Sequence, residues 1–329
     1  YVNAVGGQDE LVFDGGSFMM DNTGEITHQL PFFTALTHDL SQPIMQESAA
    51  IEKTIYAALV LSTKDYVQKN EVFNGAVIGL SGGIDSALTL AIAVDALGAE
   101  KVQALMMPSK YTSNISLEDA RAQASSMNVE YSEVEIHDIF NSFSASLSPL
   151  IASDSGVTNE NLQARIRGTL LMAISNKSGK IVLTTGNKSE MAVGYATLYG
   201  DMSGGFAPLK DIAKTMVYRL ANYRNSISHV IPGRVIEREP SAELAPNQID
   251  ADSLPPYSEL DQILELFIEK KQSVQRIVEQ GFSEQTVKRI SKMVLNNEYK
   301  RRQSAPGPKI SATAFGKERR YPMTSKFQP

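Results

Sequence analysis

The chain has 329 residues, of which 42% are hydrophobic, enough to bury a core in one large domain or two smaller ones. Its formal net charge of -6 gives no global attraction for a nucleic-acid backbone, and it has no Cys for a disulfide, a thiolate nucleophile or a Cys-ligated zinc. The four His (His28, His38, His137, His229) are scattered with no metal-ligand spacing, and no apolar run approaches the roughly 20 residues that span a bilayer.

The chain opens on Tyr1-Val2-Asn3 rather than Met and moves directly into patterned sequence, which reads as a piece of something longer. With no signal-peptide pattern at the start, the expected location is the cytoplasm. Residues 11–31 predict a β-hairpin. Leu11-Val12-Phe13 and Ser17-Phe18-Met19-Met20 are strand-like, and Asp21-Asn22-Thr23-Gly24 is a turn signal. Residues 41–72 predict a bridge into a helix, with Ile51, Ile55, Leu59 and Tyr66 on one face.

A βα series follows. Ala76–Leu80 reads as a buried strand, Ser86–Leu97 as an apolar helix ended by Gly98, and Val102–Met107 as a second strand. Ser116-Leu117-Glu118-Asp119 resembles a capping box opening another helix, and Tyr131–Ile136 predicts a third strand. Asn159–Asn176 predicts a helix, Ile181–Thr185 a buried strand, and Lys210–Asn225 an amphipathic helix. The alternation implies an α/β fold, a doubly wound parallel sheet with helices on both faces and ligands at the carboxyl ends of the strands. After residue 240 a proline-punctuated loop (Pro240, Pro246, Pro255, Pro256) leads into helices at about 258–270 and 283–300 and a basic tail.

The segment Ser81-Gly82-Gly83-Ile84-Asp85-Ser86 lies between a predicted buried strand and a predicted helix. Paired glycines bring backbone N–H groups close to a ligand, the helix start adds the positive end of its dipole, and Ser81 and Ser86 add hydroxyls. The product is an anion cradle sized for pyrophosphate. Asp85 makes sense there if a Mg²⁺ stands between it and the phosphate. A Gly-Gly turn alone would be ordinary; the six residues in strand-loop-helix context favour the phosphate reading. The chain has neither GxxxxGK[ST] nor GxGxxG, so this is not a Walker A loop or a Rossmann fingerprint.

This loop resembles the SGGxDS signature of the N-type ATP pyrophosphatases, which include NAD, GMP, asparagine and argininosuccinate synthetases. Further segments are similar to the NAD synthetases in particular. They are Asn161-Leu162-Gln163-Ala164-Arg165-Ile166-Arg167, Thr184-Thr185-Gly186-Asn187-Lys188-Ser189-Glu190, and Tyr199-Gly200-Asp201 with Pro208-Leu209 and Lys214. Pro240-Ser241-Ala242-Glu243-Leu244 and Glu298-Tyr299-Lys300-Arg301-Arg302-Gln303 complete the set. The resemblance covers about residues 45–329. Where ammonia-only members often show Thr-Ala-Asp, this chain has Ser241-Ala242-Glu243, the form of the glutamine-dependent branch.

The resemblance implies the following. ATP and Mg²⁺ serve a reaction in which the carboxylate of deamido-NAD⁺ is adenylated and then amidated by ammonia, giving NAD⁺, AMP and pyrophosphate. A GMP or asparagine synthetase is the alternative. Gly79, Leu80, Ser81, Gly82, Gly83, Ile84, Asp85, Ser86 and Thr185 hold ATP. Asp85, Glu190 and Ser241 meet the metal, and Asp85 and Lys214 carry the catalysis. Asn161, Arg165 (preferred over Arg167), Glu190, Asp201, Lys214, Ser241 and Lys300 contact substrate. Taken alone, Glu190 would be a helix-start acid, Lys214 a surface charge, and Lys300 a helix-end cation complementing the dipole. Phe140, Phe143, Tyr218 and Met293 read as core or interface packing.

Residues 1–40 are similar to the end of a nitrilase-like glutaminase domain, with residues 41–72 a linker and helix and 73–329 the synthetase. With no Cys, the glutaminase nucleophile is absent, so its portion is expected to be a separate chain or lost. A homodimer or higher homo-oligomer is expected, with no membrane or nucleic-acid partner.

Overall fold

A computed structural model describes residues 1–42, 44–45, 49–151, 156–246 and 248–325. Parts of the expected linker, at 43 and 46–48, lie outside them.

Four parallel strands form the central sheet: β5 (Ala76–Gly79), β6 (Val102–Met106), β7 (Glu130–Glu133) and β8 (Ile181–Leu183), in the order β7-β6-β5-β8. Ala76, Val77 and Ile78 are fully buried because the sheet is covered on both faces, the setting that turns a parallel strand into a continuous apolar run. One face packs on Ile51–Lys69, Ile84–Leu97 and Lys214–Ile227; Gly156–Ser178 covers the other, with His137–Leu147 against it. A second apolar cluster joins Ala192 and Val193 of Lys188–Val193 to Tyr257–Leu264, Val274–Val278 and Glu284–Asn296.

The strand order has a direct consequence for the site. From β5 the chain steps outward to β6 and β7, then returns to lay β8 on the opposite side of β5. The loops leaving β5 and β8 therefore part at their carboxyl ends, and the crevice between them is where such sheets take ligands. The phosphate-loop candidate leaves β5, and the segment from Thr184 to Glu190 leaves β8.

The amino-terminal region holds two hairpins. β1 (Val5–Gln8) pairs with β2 (Leu11–Asp14), and β3 (Phe18–Met20) with β4 (Ile26–Gln29) across the expected Asp21–Gly24 turn. β1 was not legible, since Val5-Gly6-Gly7-Gln8 has little strand propensity. β1–β2 gains its partner surface from helix Ile51–Lys69, where the Asp65 carboxylate accepts from Gly7 N–H at 2.6 Å.

Several expected boundaries shift. The helix placed at Ser116 begins at Asn114, capped by Ser113, whose hydroxyl accepts from Ser116 N–H; Ser116 is buried within its first turn. The third strand starts one residue early and ends at Glu133, and Lys210–Asn225 becomes Lys214–Ile227, with Lys210 in a turn donating to the Ala305 carbonyl. A helix at Val274–Val278 was missed. Ile51, grouped with Ile55 and Leu59, is 51% exposed because it is the first residue of its helix and lies beyond the core, whereas Leu59 is fully buried.

Leu59→Ala should lower unfolding stability in urea by about 2–5 kcal/mol, while Ile51→Ala should stay within about 0.5 kcal/mol of the parent. Equal losses for the two variants would mean that the helix face has been assigned wrongly.

Candidate active site

The segment Ser81–Ser86 turns from β5 into helix Ile84–Leu97. Gly82 makes the turn at φ +78°, packed so tightly on Ser116 that a Cβ would collide with its carbonyl oxygen. Only glycine satisfies both demands. The two serine hydroxyls lie 3.1 Å apart; Ser81 Oγ accepts from Gly83 N–H at 3.3 Å, and Ser86 Oγ donates to the Gly83 carbonyl at 2.9 Å. No side chain caps the helix that follows, so its start is open to an anion.

Across the crevice, Asn187 ends the β8 loop and caps helix Lys188–Val193. Its side-chain oxygen accepts from Glu190 N–H at 3.0 Å, and the Glu190 carboxylate accepts in return from Asn187 N–H at 3.4 Å. This capping box aims Glu190 inward and leaves Asn187 Nδ2 to donate to Asp85 Oδ1 at 2.9 Å.

The two loops meet at Lys214, the first residue of the next helix. Its Nζ is 2.5 Å from Asp85 Oδ2 and 3.2 Å from Glu190 Oε1, with the side chain 2% exposed. Burial works against this ammonium, but the two carboxylates outweigh it and hold the lysine charged. Tyr257 lies with its ring centroid 5.2 Å from the same Nζ, and its hydroxyl donates to Asp250 Oδ2 at 2.8 Å. Burial pushes Glu190 up to about 8; Lys214 opposes the rise and Asp85 adds to it. Burial likewise pushes Asp201 up to about 6, against the N–H that Thr197 donates to its carboxylate.

Ser81, Gly83, Asp85, Ser86, Glu190, Asp201, Lys214 and Asp250 line a cavity of about 300 Å³, together with Gly79, Leu80, Ile84, Thr185, Arg167, Tyr218 and the segment from Arg238 to Leu244; Asn187 and Tyr257 stand outside its lining. A smaller cavity of about 60 Å³ shares Thr184, Thr185, Glu190 and Asp201 with it, and is closed behind by Lys210 and Ala305. Among the sequence-derived candidates, Gly79, Leu80, Ser81, Gly83, Ile84, Asp85, Ser86, Thr185, Glu190, Asp201, Lys214 and Ser241 all line the larger cavity. Gly82 shapes its floor, and its carbonyl accepts from Arg238 at 2.8 Å. The Ser241 hydroxyl is engaged with the Gln248 carbonyl.

Three candidates lie elsewhere. Asn161 accepts from the Thr197 hydroxyl at 2.7 Å, Arg165 donates to the Leu198 carbonyl at 3.2 Å, and Lys300 donates to the carbonyls of Gly194 and Ala196. All three therefore gather on the segment Gly194–Leu198; that segment gives Tyr195 to the larger cavity and Ala196 to the smaller, but Asn161, Arg165 and Lys300 line neither. Of the two neighbouring arginines it is Arg167 that lines the cavity, donating to the Met107 carbonyl at 2.9 Å; burial pushes its pKa down to about 10.

Sequence reasoning set Arg167 behind Arg165, named Glu243 only within a family segment, did not single out Arg238 or Asp250, and left Tyr218 to packing. Arg238, Glu243 and Asp250 fall in proline-punctuated sequence with no periodicity to orient them. The role of Asn187 was signalled, since Asn followed three residues later by Glu is a capping-box pattern.

As for a metal, Asp85 and Glu190 bring two carboxylates to the Lys214 ammonium from the helices that follow adjacent strands. Among the described residues there is no group of three or more His, Cys, Asp or Glu that could hold an ion alone. This donor set suits Mg²⁺, which takes one or two carboxylates and fills its remaining positions with phosphate oxygens and water.

Residues 55–304 match the family model described as NAD synthase. The chain is 54% identical over 341 residues to a glutamine-dependent NAD(+) synthetase of Acinetobacter baylyi; the match takes in 100% of this chain and 63% of that protein, so the chain spans less than two thirds of its relative. A solved glutamine-dependent NAD⁺ synthetase from Acinetobacter baumannii, in complex with ADP, is 52% identical with a TM-score of 0.68, over 98% of this chain and 61% of its own. An NMN synthetase from Francisella tularensis is 28% identical with a TM-score of 0.66, over 79% of this chain and 99% of its own.

Gly82→Ala should leave a folded sheet but weaken ATP binding by about 5- to 150-fold, since a side chain in the left-handed region against backbone stores about 1–3 kcal/mol of strain. Calorimetric titration with ATP checks it, and unchanged affinity would mean that the loop does not depend on this turn.

Proposed function

The chain belongs to the NAD synthase family, and from that premise we propose that it adenylates the carboxylate of deamido-NAD⁺ with ATP and amidates the product with ammonia, releasing AMP and pyrophosphate. The observation that carries this is the meeting of the Ser81–Ser86 cradle with Lys214, Asp85 and Glu190 in one cavity.

In this reading the β- and γ-phosphates lie in the Ser81–Ser86 loop, against its N–H groups and hydroxyls. The carboxylate oxygen of the substrate attacks the α-phosphorus, the bond to the β-phosphate oxygen breaks, and pyrophosphate is left in the cradle. Lys214 sets a positive charge where the transferred group becomes more negative, and because it is already fixed by Asp85 and Glu190 it does not reorganise during the step. Asp85 and Glu190 would also hold Mg²⁺, which would neutralise phosphate charge and orient the leaving group. Ser241 completes the set as a weaker oxygen donor. Ammonia then attacks the acyl carbon and AMP leaves. The smaller cavity adjoins the larger one at Thr184, Thr185, Glu190 and Asp201 and is large enough to hold ammonia beside ATP. Arg167, Tyr218 and the Arg238–Leu244 segment wall the larger cavity, and excluding water keeps the adenylate from hydrolysis.

Asn161, Arg165 and Lys300 contact the dinucleotide away from its reacting end, and a two-fold homodimer places that part of the substrate at the subunit contact. Residues 1–40 belong with a nitrilase-like glutaminase and 73–329 with the synthetase. The expected location remains the cytoplasm; among the described residues no helix is long and apolar enough to cross a membrane.

The likeness to an NMN synthetase makes a mononucleotide the competing substrate. A polypeptide of residues 1–329, given MgATP and ammonium, should form NAD⁺, AMP and pyrophosphate in equal amounts from deamido-NAD⁺, and faster than it amidates nicotinic acid mononucleotide. Glutamine should not replace ammonium, because this polypeptide has no Cys to attack the amide. Release of ADP and phosphate, or preference for the mononucleotide, would refute the assignment.

A further inference from the structure

Lys188 opens the helix that carries Glu190, yet its side chain lines neither cavity. It runs the other way and is 5% exposed. Its Nζ meets four oxygens: Ser311 Oγ at 2.6 Å, Glu269 Oε1 at 2.7 Å, Asp211 Oδ1 at 2.9 Å and the Thr313 carbonyl at 3.1 Å. An ammonium has three N–H donors, so this one is saturated. Asp211 is equally committed. It accepts from Ile310 N–H at 2.8 Å, Ser311 N–H at 2.7 Å and Ser311 Oγ at 2.9 Å.

The arrangement ties the first turn of a six-residue helix to the carboxyl-terminal segment Ile310–Thr313. So short a helix has little stability of its own, and its orientation comes from what holds its ends. On one side Asn187 and Glu190 face Asp85 and Lys214. On the other, Lys188 and Ser189 are fixed, the latter through its hydroxyl to Asp261 Oδ1 at 2.5 Å and from Lys214 N–H at 2.9 Å. The carboxyl-terminal segment is itself secured to hairpin β1–β2, where Lys309 N–H donates to the Glu10 carbonyl at 2.7 Å and Lys317 pairs with Asp9.

We propose that Lys188 is a positioning residue for the phosphate site: its buried ammonium pins the start of helix Lys188–Val193 to the carboxyl-terminal segment and so sets the register of Asn187 and Glu190 against Asp85. This rests on the functional reading above, in which Asp85 and Glu190 together receive Mg²⁺. Removing the ammonium frees the first turn to rotate. Glu190 then leaves the shared site while Asp85 and the Ser81–Ser86 loop stay in place, because they belong to β5 and its helix.

The test is ATP affinity by calorimetry, with and without magnesium, on the 329-residue chain and its Lys188→Met and Ser311→Ala variants. Groups that orient metal ligands are worth about 10- to 100-fold in metal affinity. Lys188→Met should lose about that factor in magnesium-dependent ATP affinity, Ser311→Ala a smaller part of it, and both should keep the magnesium-free ATP affinity of the parent. A merely structural role would lower both affinities together. Unchanged magnesium dependence in folded Lys188→Met overturns the proposal; if that variant does not fold, unchanged dependence in Ser311→Ala does so. A parent chain that binds no MgATP would instead refute the functional reading.

Discussion

The site depends on one buried ammonium. Lys214 is nearly inaccessible, and a lysine so placed without partners would give up its proton. Two carboxylates from distant parts of the chain prevent this, Asp85 from the first turn of the helix after β5 and Glu190 from the first turn of the helix after β8. The dependence is mutual, since removing one member of a buried ion pair typically costs about 3–5 kcal/mol. Fixing Lys214 therefore fixes the distance between the two loops that the sheet's reversal of strand order sets apart. The parallel sheet makes the crevice, and the charge cluster determines its width and its chemistry.

Around that cluster the polar contacts are arranged to close the crevice from above. Arg238 donates to the Gly82 carbonyl, tying the segment after helix Gly233–Glu237 to the phosphate loop. Glu243, five residues on, accepts from the hydroxyls of Ser113 and Ser116 at 2.9 and 2.8 Å. It does so at φ +48°, an uncommon conformation for a residue with a side chain, sustained by these bonds and by the Ser113 N–H at 3.3 Å. Ser116 thus meets both the phosphate loop, through its backbone against Gly82, and the covering segment, through its hydroxyl. Loop, cover and the start of helix Asn114–Ser126 share a few contacting residues, so a change in one is felt in the others.

The parts of this fold that were legible in the sequence are those where one local rule dominates. Ala76–Gly79 and Ile181–Leu183 are buried on both faces and read as apolar runs; Gly98 ends its helix where expected. Ser81–Ser86 could be placed because its glycines and hydroxyls have a local reason to be there. Legibility failed where tertiary contact decides. Val5–Gln8 is a strand only because Leu11–Asp14 and helix Ile51–Lys69 accept it. Ser113 and Ser116 both suit an N-cap, and burial of Ser116 beneath Glu243 selects Ser113. Arg165 and Arg167 share a helix, and only the packing of Gly156–Ser178 on the sheet shows which one reaches the cavity. Lys214 looked like a surface charge on local grounds, and the resemblance to a family was needed to suggest otherwise.

The central proposal is that the cavity passes a carboxylate oxygen to the α-phosphorus of ATP. Its most direct test is oxygen transfer from deamido-NAD⁺ labelled with ¹⁸O in the carboxylate, turned over with MgATP and ammonium and followed by mass spectrometry of the nucleotides. The account predicts one ¹⁸O in the AMP released and none in pyrophosphate. Label in pyrophosphate or phosphate, or AMP free of label while the amide is formed, would contradict it.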